Sequence, residues 1–446
     1  MHWLALLPSP PPCAEDGAAA ADPLALAAQQ QALAWLALQF SPRVARLEEA
    51  VVLEVGASLR LFGGARALHR RLLQGAAEAG LTLQAVSWAP TSLAALALAR
   101  AGIGNGLRAP LAQLLDALPL PVLSAVQAHE AMLARLGCRR LADVRRLPRA
   151  ALARRFGTAL LQALDQAYGD APEAHQWLVL PERFHARLEL PWRVEQAPAL
   201  LHFVQLLLRQ LCGWLAARHA GITELNLAWQ HDAMRARDSG AGGSLRIATA
   251  ETTRDFHHLS RLLGEHLGQL QLAAPAGELS LAADTVLPLD ERSDSLLPPS
   301  SLHSPEQATE PLHQLLERLA VRLGAERVRE GRLHEDHRLE KSQRWLRWPA
   351  TGKSTAALTR RPLSPQPSWL LEPPQRLGTQ QDQPLYRGPL QQVAGPHRIE
   401  AGWWDVGAPQ QRDYFLFRSA EAGLLWIYTE RLSPDEQGWF LHGVFA

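Results

Sequence analysis

The stretch DERSDSLLPPSSLHSPEQATEP, residues 290–311, constrains the fold more than any other part of this chain. Serine, proline and acids there displace the periodic apolar residues that a strand or helix needs, so it is a linker by composition. At 446 residues the chain is also too long for one ordinary core, and two to four domains are expected.

Ahead of the linker, WLALLP (3–8) reads as a short buried strand, followed by a proline-rich loop and a helix from Pro23 to about Phe40. A strand over Ala50–Val55 comes next. Gly56 breaks it, and Phe62-Gly63-Gly64 lead into the amphipathic helix ALHRRLLQGAAEAG. LTLQAVSW is another strand, and Thr91 or Ser92 caps the helix SLAALALARAG, which glycines 102, 104 and 106 end. Strands and helices in this order predict a sheet with helices packed on it. The texture changes near Leu111: residues 131–160 hold eight arginines and one acid, Asp143, on short helices meeting at Gly137 and Leu147-Pro148. From Phe184 to Leu289 helices and strands alternate, with a long amphipathic helix over 199–219 and another over 254–269. Beyond the linker a helix over 311–323 precedes a stretch of little periodicity reaching about Pro374. The tail from Leu377 carries Trp403, Trp404, Trp426 and Trp439 among alternating stretches such as DYFLFR and GLLWIYTE, and reads as a small β-rich module. The fold class expected is α+β and multidomain.

Composition excludes several classes. Hydrophobic residues at 47% with 20% charged describe a globular protein, and a net charge of +1 means that any basic surface is local. Lys341 and Lys353 are the only lysines, so nearly all positive charge is arginine, which suits phosphate but follows more readily from an Ala- and Leu-rich, GC-rich coding bias. Cys13, Cys138 and Cys212 form no CxxC pair, which argues against a zinc or disulfide framework and fits a reducing cytoplasm. The start MHWLALLPSPPP lacks a basic segment before its apolar run, and no uninterrupted apolar run reaches membrane-spanning length, so a cytoplasmic chain with no membrane partner is expected.

The richest candidate for chemistry is EEAVVLEVGASLRLFGG, residues 48–64. Joining nucleotides with two metal ions takes about three carboxylates converging from neighbouring strands, with the metals ~4 Å apart. Glu48, Glu49 and Glu54 are the acids available. Glu49 and Glu54 lie an odd number apart and so face opposite sides of an unbroken strand. WLALLP has no acid, and Asp16 and Asp22, in loop-like sequence, are the only aspartates before Pro110. A two-metal site is therefore not expected, and these acids read as solvated groups at a strand entrance. The arginine-rich segment is either a phosphate-backbone contact or a solvated helical face. TGKS (351–354) is not a phosphate loop, because Arg347 stands where the pattern requires glycine. HEDH (334–337) sits in a charged, aperiodic region, and a metal site there is not expected. SDSLL (293–297) places two leucines in an accessible extended stretch, the form that fills a hydrophobic groove on a partner.

LEVGASLRLFGG resembles the LDVTGSxRLFG stretch that follows the catalytic SxDE of Y-family translesion DNA polymerases, and ARLGCRRLADVRRLPRAALARRFG (134–157) resembles their thumb region. GPHRIEAGWWD, RDYFLFR and WFLHGVFA resemble the C-terminal region of ImuB-type proteins, the catalytically inactive Y-family relatives of bacterial mutasomes; the resemblance runs from about Leu33 to Ala446. It implies a palm remnant lacking fingers over 1–110, a helical thumb-like domain over 111–180, and a little-finger-like α/β domain over 184–290. A linker over 291–310 and a partner-binding C-terminal region over 311–446 complete it. Laid on the family motif, Glu49 takes the place of the Asp of SxDE and Ala50 that of its Glu; WLALLPSP offers no first metal carboxylate, and no tyrosine precedes Tyr168. The resemblance thus implies a non-enzyme with neither metal nor cofactor: a DNA-associated adaptor of damage-induced (SOS) mutagenesis and translesion synthesis. Its implied partners are DNA, the β sliding clamp, an error-prone C-family DNA polymerase and an ImuA-type RecA-like protein. DNA would be held by Arg139, Arg140, Arg145, Arg146, Arg154 and Arg155. The clamp would take Ser293, Asp294, Ser295, Leu296 and Leu297, with Ser293 in place of the family's glutamine. Trp403, Trp404, Trp426 and Trp439 would anchor protein partners or form the module's core. The alternatives are a residual active Y-family polymerase using Glu48, Glu49 and Glu54, and a protein-only scaffold without DNA contact.

Overall fold

A computed structural model of the chain describes residues 2–9, 23–232, 240–289, 311–334, 336–349, 366–404, 409–431 and 438–445. It separates into two compact units, Met1–Arg322 and Leu323–Ala446.

The first unit begins with an antiparallel sheet in the order β2-β3-β1-β4, built from β1 (Trp3–Pro8), β2 (Val44–Leu47), β3 (Ala50–Glu54) and β4 (Leu83–Ala89). WLALLP is apolar throughout because both faces of β1 are covered. Leu4 and Leu6 join one core with Leu33 and Leu36 of α1 (Pro23–Ala37) and Leu68 and Leu72 of α2 (Ala65–Glu78). Trp3, Ala5 and Leu7 join the other with Leu96 and Leu98 of α3 (Ser92–Arg100). Thr91 is the cap of α3, its hydroxyl accepting from Ala94 N. β2 was not foreseen in the sequence: VARL is too short and too mixed to show a period.

Six short helices follow: α4 (Leu111–Asp116), α5 (Ser124–Gln127), α6 (Glu130–Arg135), α7 (Leu141–Arg146), α8 (Arg149–Phe156) and α9 (Thr158–Tyr168). Leu133, Leu141, Val144, Leu152 and Phe156 turn inward onto the core beneath α3. Segment 171–181 then returns over the sheet. The Glu173 carboxylate accepts from Ser92 N and Leu93 N at 2.8 Å each and from Ser92 Oγ, while the His175 ring lies 4.8 Å from that of Trp3. Burial pushes the Glu173 carboxyl up, but the hydrogen bonds from His175, Leu93 and Ser92 hold it below its ordinary value.

The rest of the unit is a second antiparallel sheet, order β5-β8-β6-β7: β5 (His185–Val194), β6 (Ala220–His231), β7 (Gly242–Thr253) and β8 (Ala276–Pro288), with α10 (Leu201–Ala217) and α11 (Phe256–Gln269). The segments 1–110 and 184–290, expected as palm-like and little-finger-like domains, share a core. Leu207, Leu211 and Trp214 of α10 share one core with Leu4, Leu33, Val51, Leu279 and Leu281. The helices meet closely because the contact is made of small residues: Ala25, Ala28 and Ala32 on α1, and Gly213, where a Cβ would stand 2.3 Å from the Ala32 carbonyl oxygen. The helical run Ala197–Ala217 has the length and apolarity of a membrane span, with a mean hydropathy of 1.3, but most of it is buried in this core.

The unit closes with α12 (Leu312–Leu323). The expected boundary at 311 therefore moves past this helix. Glu317 bonds His258 Nε2 at 2.9 Å and Ala250 N at 2.7 Å, and Arg322 pairs with Glu265. The second unit contains a hairpin of β9 (Arg329–Leu333) and β10 (Gln343–Arg347) in a stretch where no periodicity was read. It also contains a six-stranded antiparallel sheet from β11 (Trp369–Gln380), β12 (Gln383–Leu385), β13 (Gln391–Ala401), β14 (Gln410–Ser419), β15 (Gly423–Glu430) and β16 (Trp439–Val444). The fold is α+β and multidomain, as expected.

Candidate functional site

Leu47 pairs with Ala50, so Glu48 and Glu49 are the two central residues of a tight hairpin between β2 and β3, with Glu48 at φ 53°. They stand in a turn, Glu48 exposed and Glu49 half-buried, rather than at a strand entrance. Arg100, at the end of α3, reaches across with its guanidinium. Its Nε donates to Glu49 Oε1 and its Nη2 to Glu49 Oε2, each at 2.7 Å; Nη2 also reaches Glu48, and Nη1 donates to the Val122 carbonyl at 2.9 Å. Ser124 Oγ donates to Glu48 as well. The Arg100 side chain is only 16% exposed, so this is a sheltered fork-to-fork pair. Burial alone would push the Glu49 carboxyl up; the Arg100 hydrogen bond, a backbone N–H and the Arg100 charge outweigh it and hold the group below 4.5.

Glu54 stands at the other end of β3, opposite Trp3 of β1, roughly 16 Å of strand from Glu49. Its Oε1 accepts from Gly56 N at 2.9 Å and its Oε2 lies 3.7 Å from Arg43. The three acids do not converge. Beside the hairpin β1 contributes Leu6, opposite Val51, and then Leu7 and Pro8. A pair of divalent cations does not fit these residues: the two hairpin carboxylates are already bridged by a guanidinium and the third points elsewhere. Among the described residues no group of three or more His, Cys, Asp or Glu is arranged to hold a metal. Asp336 of the HEDH stretch pairs with Arg338 at 2.6 Å, which holds its carboxyl down at about 2.

The arginine-rich helices are organised differently. Asp143 in the first turn of α7 accepts from Arg139 N at 2.9 Å and Arg140 N at 3.0 Å. These bonds hold its carboxyl below its ordinary value and fix the turn between α6 and α7. With the apolar residues turned inward, Arg139, Arg140, Arg145, Arg146, Arg154 and Arg155 are all exposed. Arg145 lies 3.7 Å from Asp116 and 4.3 Å above the Tyr168 ring. Arg149 is paired with Asp165 at 2.6 Å. The side chains of Arg139, Arg140, Arg146 and Arg154 make no ion pair among the described residues. Unpaired guanidinium groups on and between consecutive short helices suit a phosphate backbone, a contact that by itself carries no sequence information.

In the second unit the four tryptophans divide. Trp426 is interior, stacked on Tyr414 with ring centroids 5.3 Å apart, and so is no accessible anchor. Trp439 is half-buried against Phe415, and its Nε1 donates to the Asp382 carbonyl. Trp403 and Trp404 are exposed, at 71% and 50%, in edge-to-face contact with each other. The stretches Ser293–Leu297 and 351–354 lie outside the described residues.

Comparison with known proteins finds Protein ImuB of Caulobacter vibrioides, in strains NA1000 / CB15N and ATCC 19089 / CIP 103742 / CB 15, 29% identical over 451 aligned positions that cover 95% of each chain. The chain is similar to Protein ImuB over nearly its whole length. No protein-family model matches it. Among solved structures it aligns with a Dbh ternary complex at 15% identity, covering 59% of this chain and 78% of that one with a TM-score of 0.30. It aligns with DinB from Sulfolobus solfataricus at 14% identity over 59% and 76%, with a TM-score of 0.29.

Two groups of this ImuB-like chain escaped the sequence reading. Arg100 is the only charged residue on α3, a lone cation at the end of an apolar helix, and that was the available signal. Glu173 lies 81 residues from Ser92, and nothing local to either announces their contact.

Proposed function

We propose that this ImuB-like chain is a non-catalytic, DNA-associated adaptor of damage-induced translesion synthesis and mutagenesis. The observation that carries the reading is Arg100, whose guanidinium engages both Glu49 oxygens and reaches Glu48. Glu49 occupies the position that the polymerase motif assigns to a metal ligand, and a metal would have to displace a sheltered bidentate ion pair to use it. The sheet then serves as a platform for neighbouring segments. The exposed arginines of α7 and α8, with Arg139 and Arg140 just before them, contact DNA phosphates. Ser293–Leu297 reaches the β sliding clamp, and the exposed pair Trp403 and Trp404 engages the error-prone C-family polymerase or the ImuA-type RecA-like partner, since exposed tryptophans are common interface anchors.

An anisotropy titration of labelled DNA at several salt concentrations, run with and without the sliding clamp, tests this reading. It predicts steep salt dependence, little sequence preference, and a further shift with the clamp that Leu296→Ala with Leu297→Ala abolishes. Absence of DNA binding at low salt would leave a protein-only scaffold in its place.

A further inference from the structure

We propose that the outer edge of β4 and the groove beside it are a docking site for an extended acidic segment of another protein, which would add to the sheet as a short fifth strand. β4 is an edge strand, paired on one side with β1. On its other side Trp88 N donates to the Gly104 carbonyl and Gly106 N to the Trp88 carbonyl, and Gly104 also lies against the Val86 carbonyl, so the loop at 104–106 covers that edge from Trp88 as far as the Val86 carbonyl. Backbone groups alternate in direction along a strand, so Val86 sends its N–H and C=O to the same side as Trp88. No strand meets the edge from Leu83 to Val86 among the described residues.

Alongside this edge runs a groove of about 960 Å³, bounded by α2, β4 and the loop at 104–108. Its apolar surface comes from Leu73 and Leu107, both exposed, with the half-buried Leu83 and Val86. Its rim carries Arg66, Arg70 and Arg108, all exposed, and no carboxylate lines it. None of the three arginines makes a hydrogen bond or ion pair among the described residues. An unpaired backbone edge is recognised by extended peptide, whose own N–H and C=O groups complete the ladder. The apolar floor takes its aliphatic side chains, and the uncompensated rim calls for Asp or Glu. Phosphate would satisfy the rim but neither the floor nor the backbone edge. The groove lies on α2 and β4, apart from the arginine helices and the Glu49 hairpin, so its occupancy is independent of whether the sheet performs chemistry.

The test is fluorescence anisotropy of the full chain with a labelled octapeptide of alternating aspartate and valine. Three comparisons accompany it: the same peptide N-methylated at the valines, a lysine-for-aspartate version, and competition by a single-stranded oligonucleotide. The proposal expects saturable binding of the first peptide and none of the second or third. It expects at least about tenfold weaker binding to a variant combining Arg66→Glu, Arg70→Glu and Arg108→Glu, which changes only exposed side chains. Val86→Pro, which removes the outward N–H at a position where an edge strand tolerates proline, gives the same loss by a separate route. Equal binding of the N-methylated peptide, no saturable binding, or displacement by the oligonucleotide would each overturn it. So would a dimer in sedimentation that the arginine reversals dissolve, since that assigns the edge to a second copy of the chain.

Discussion

Arg100 and Arg146 belong to the same compact unit and carry the same charged group, but their surroundings use that group in opposite ways. Arg100 lies at the end of an apolar helix, 16% exposed, with its fork closed on Glu49 and its reach extended to Glu48. Arg146 ends a helix whose apolar side is buried, and its guanidinium faces water without an ion pair. Positive charge at the hairpin is spent within the fold, whereas on α7 and α8 it remains available to an outside anion. Charge arranged in this way suits a polyanion better than a pair of divalent cations, in line with the proposed function.

The largest effect is expected from the arginine side of the comparison. Reversing Arg139, Arg140, Arg145 and Arg146 to Glu should weaken DNA binding by about a hundredfold or more and flatten its salt dependence by up to about four ion equivalents. Circular dichroism would verify folding, because Arg145 also contacts Asp116 and Tyr168. Unchanged affinity would mean that these arginines are only a solvated face.

On the other side, Arg100→Met leaves two neighbouring carboxylates without their cation. A loss of about 2 kcal/mol in denaturant unfolding at pH 7 is expected, less than a fully buried pair would lose because both acids are about a third exposed. The same variant has a pH signature. Glu49 has a folded pKa depressed below 4.5, so its contribution is present above that value and is lost as pH falls through the folded value. Without Arg100 the carboxyl no longer gains by ionising. The difference between wild type and variant should therefore narrow below about pH 4.5, and a gap constant from pH 7 to 3 would separate stability from this ion pair.

The smallest effect distinguishes paired from unpaired arginines within one surface. Arg146→Ala should reduce the slope of log affinity against log salt by about one and weaken binding a few-fold. Arg149→Ala, whose native partner is Asp165, should leave the slope nearly unchanged. Equal effects would erase the distinction drawn from the ion pairs.

Much of the fold was legible because its signals are local. β1, α2, α3 and its Thr91 cap, α10 and α11 stand where apolar period, cap and glycine placed them. The hairpin was not legible: Glu48 adopts a positive φ with no glycine or asparagine to announce the turn, so two turn residues read as the entrance of a strand. The shared core of the two sheets was hidden for another reason. Alanines 25, 28 and 32 look like compositional bias until they join the core shared with α10, where Gly213 packs against Ala32. At the site, counting residues put Glu49 and Glu54 on opposite faces of one strand, whereas Glu49 stands in the turn before β3 and Glu54 at its far end. The cation that closes the hairpin lies about fifty positions away and needed three dimensions.

The most direct test of the account is primer extension by the purified chain with Mg²⁺ or Mn²⁺ and all four nucleotides, on undamaged and lesion-bearing templates that it binds. The account predicts no incorporation on either template. Incorporation that disappears on Glu49→Ala would contradict it, because a hairpin carboxylate held by Arg100 would then be serving as a working metal ligand.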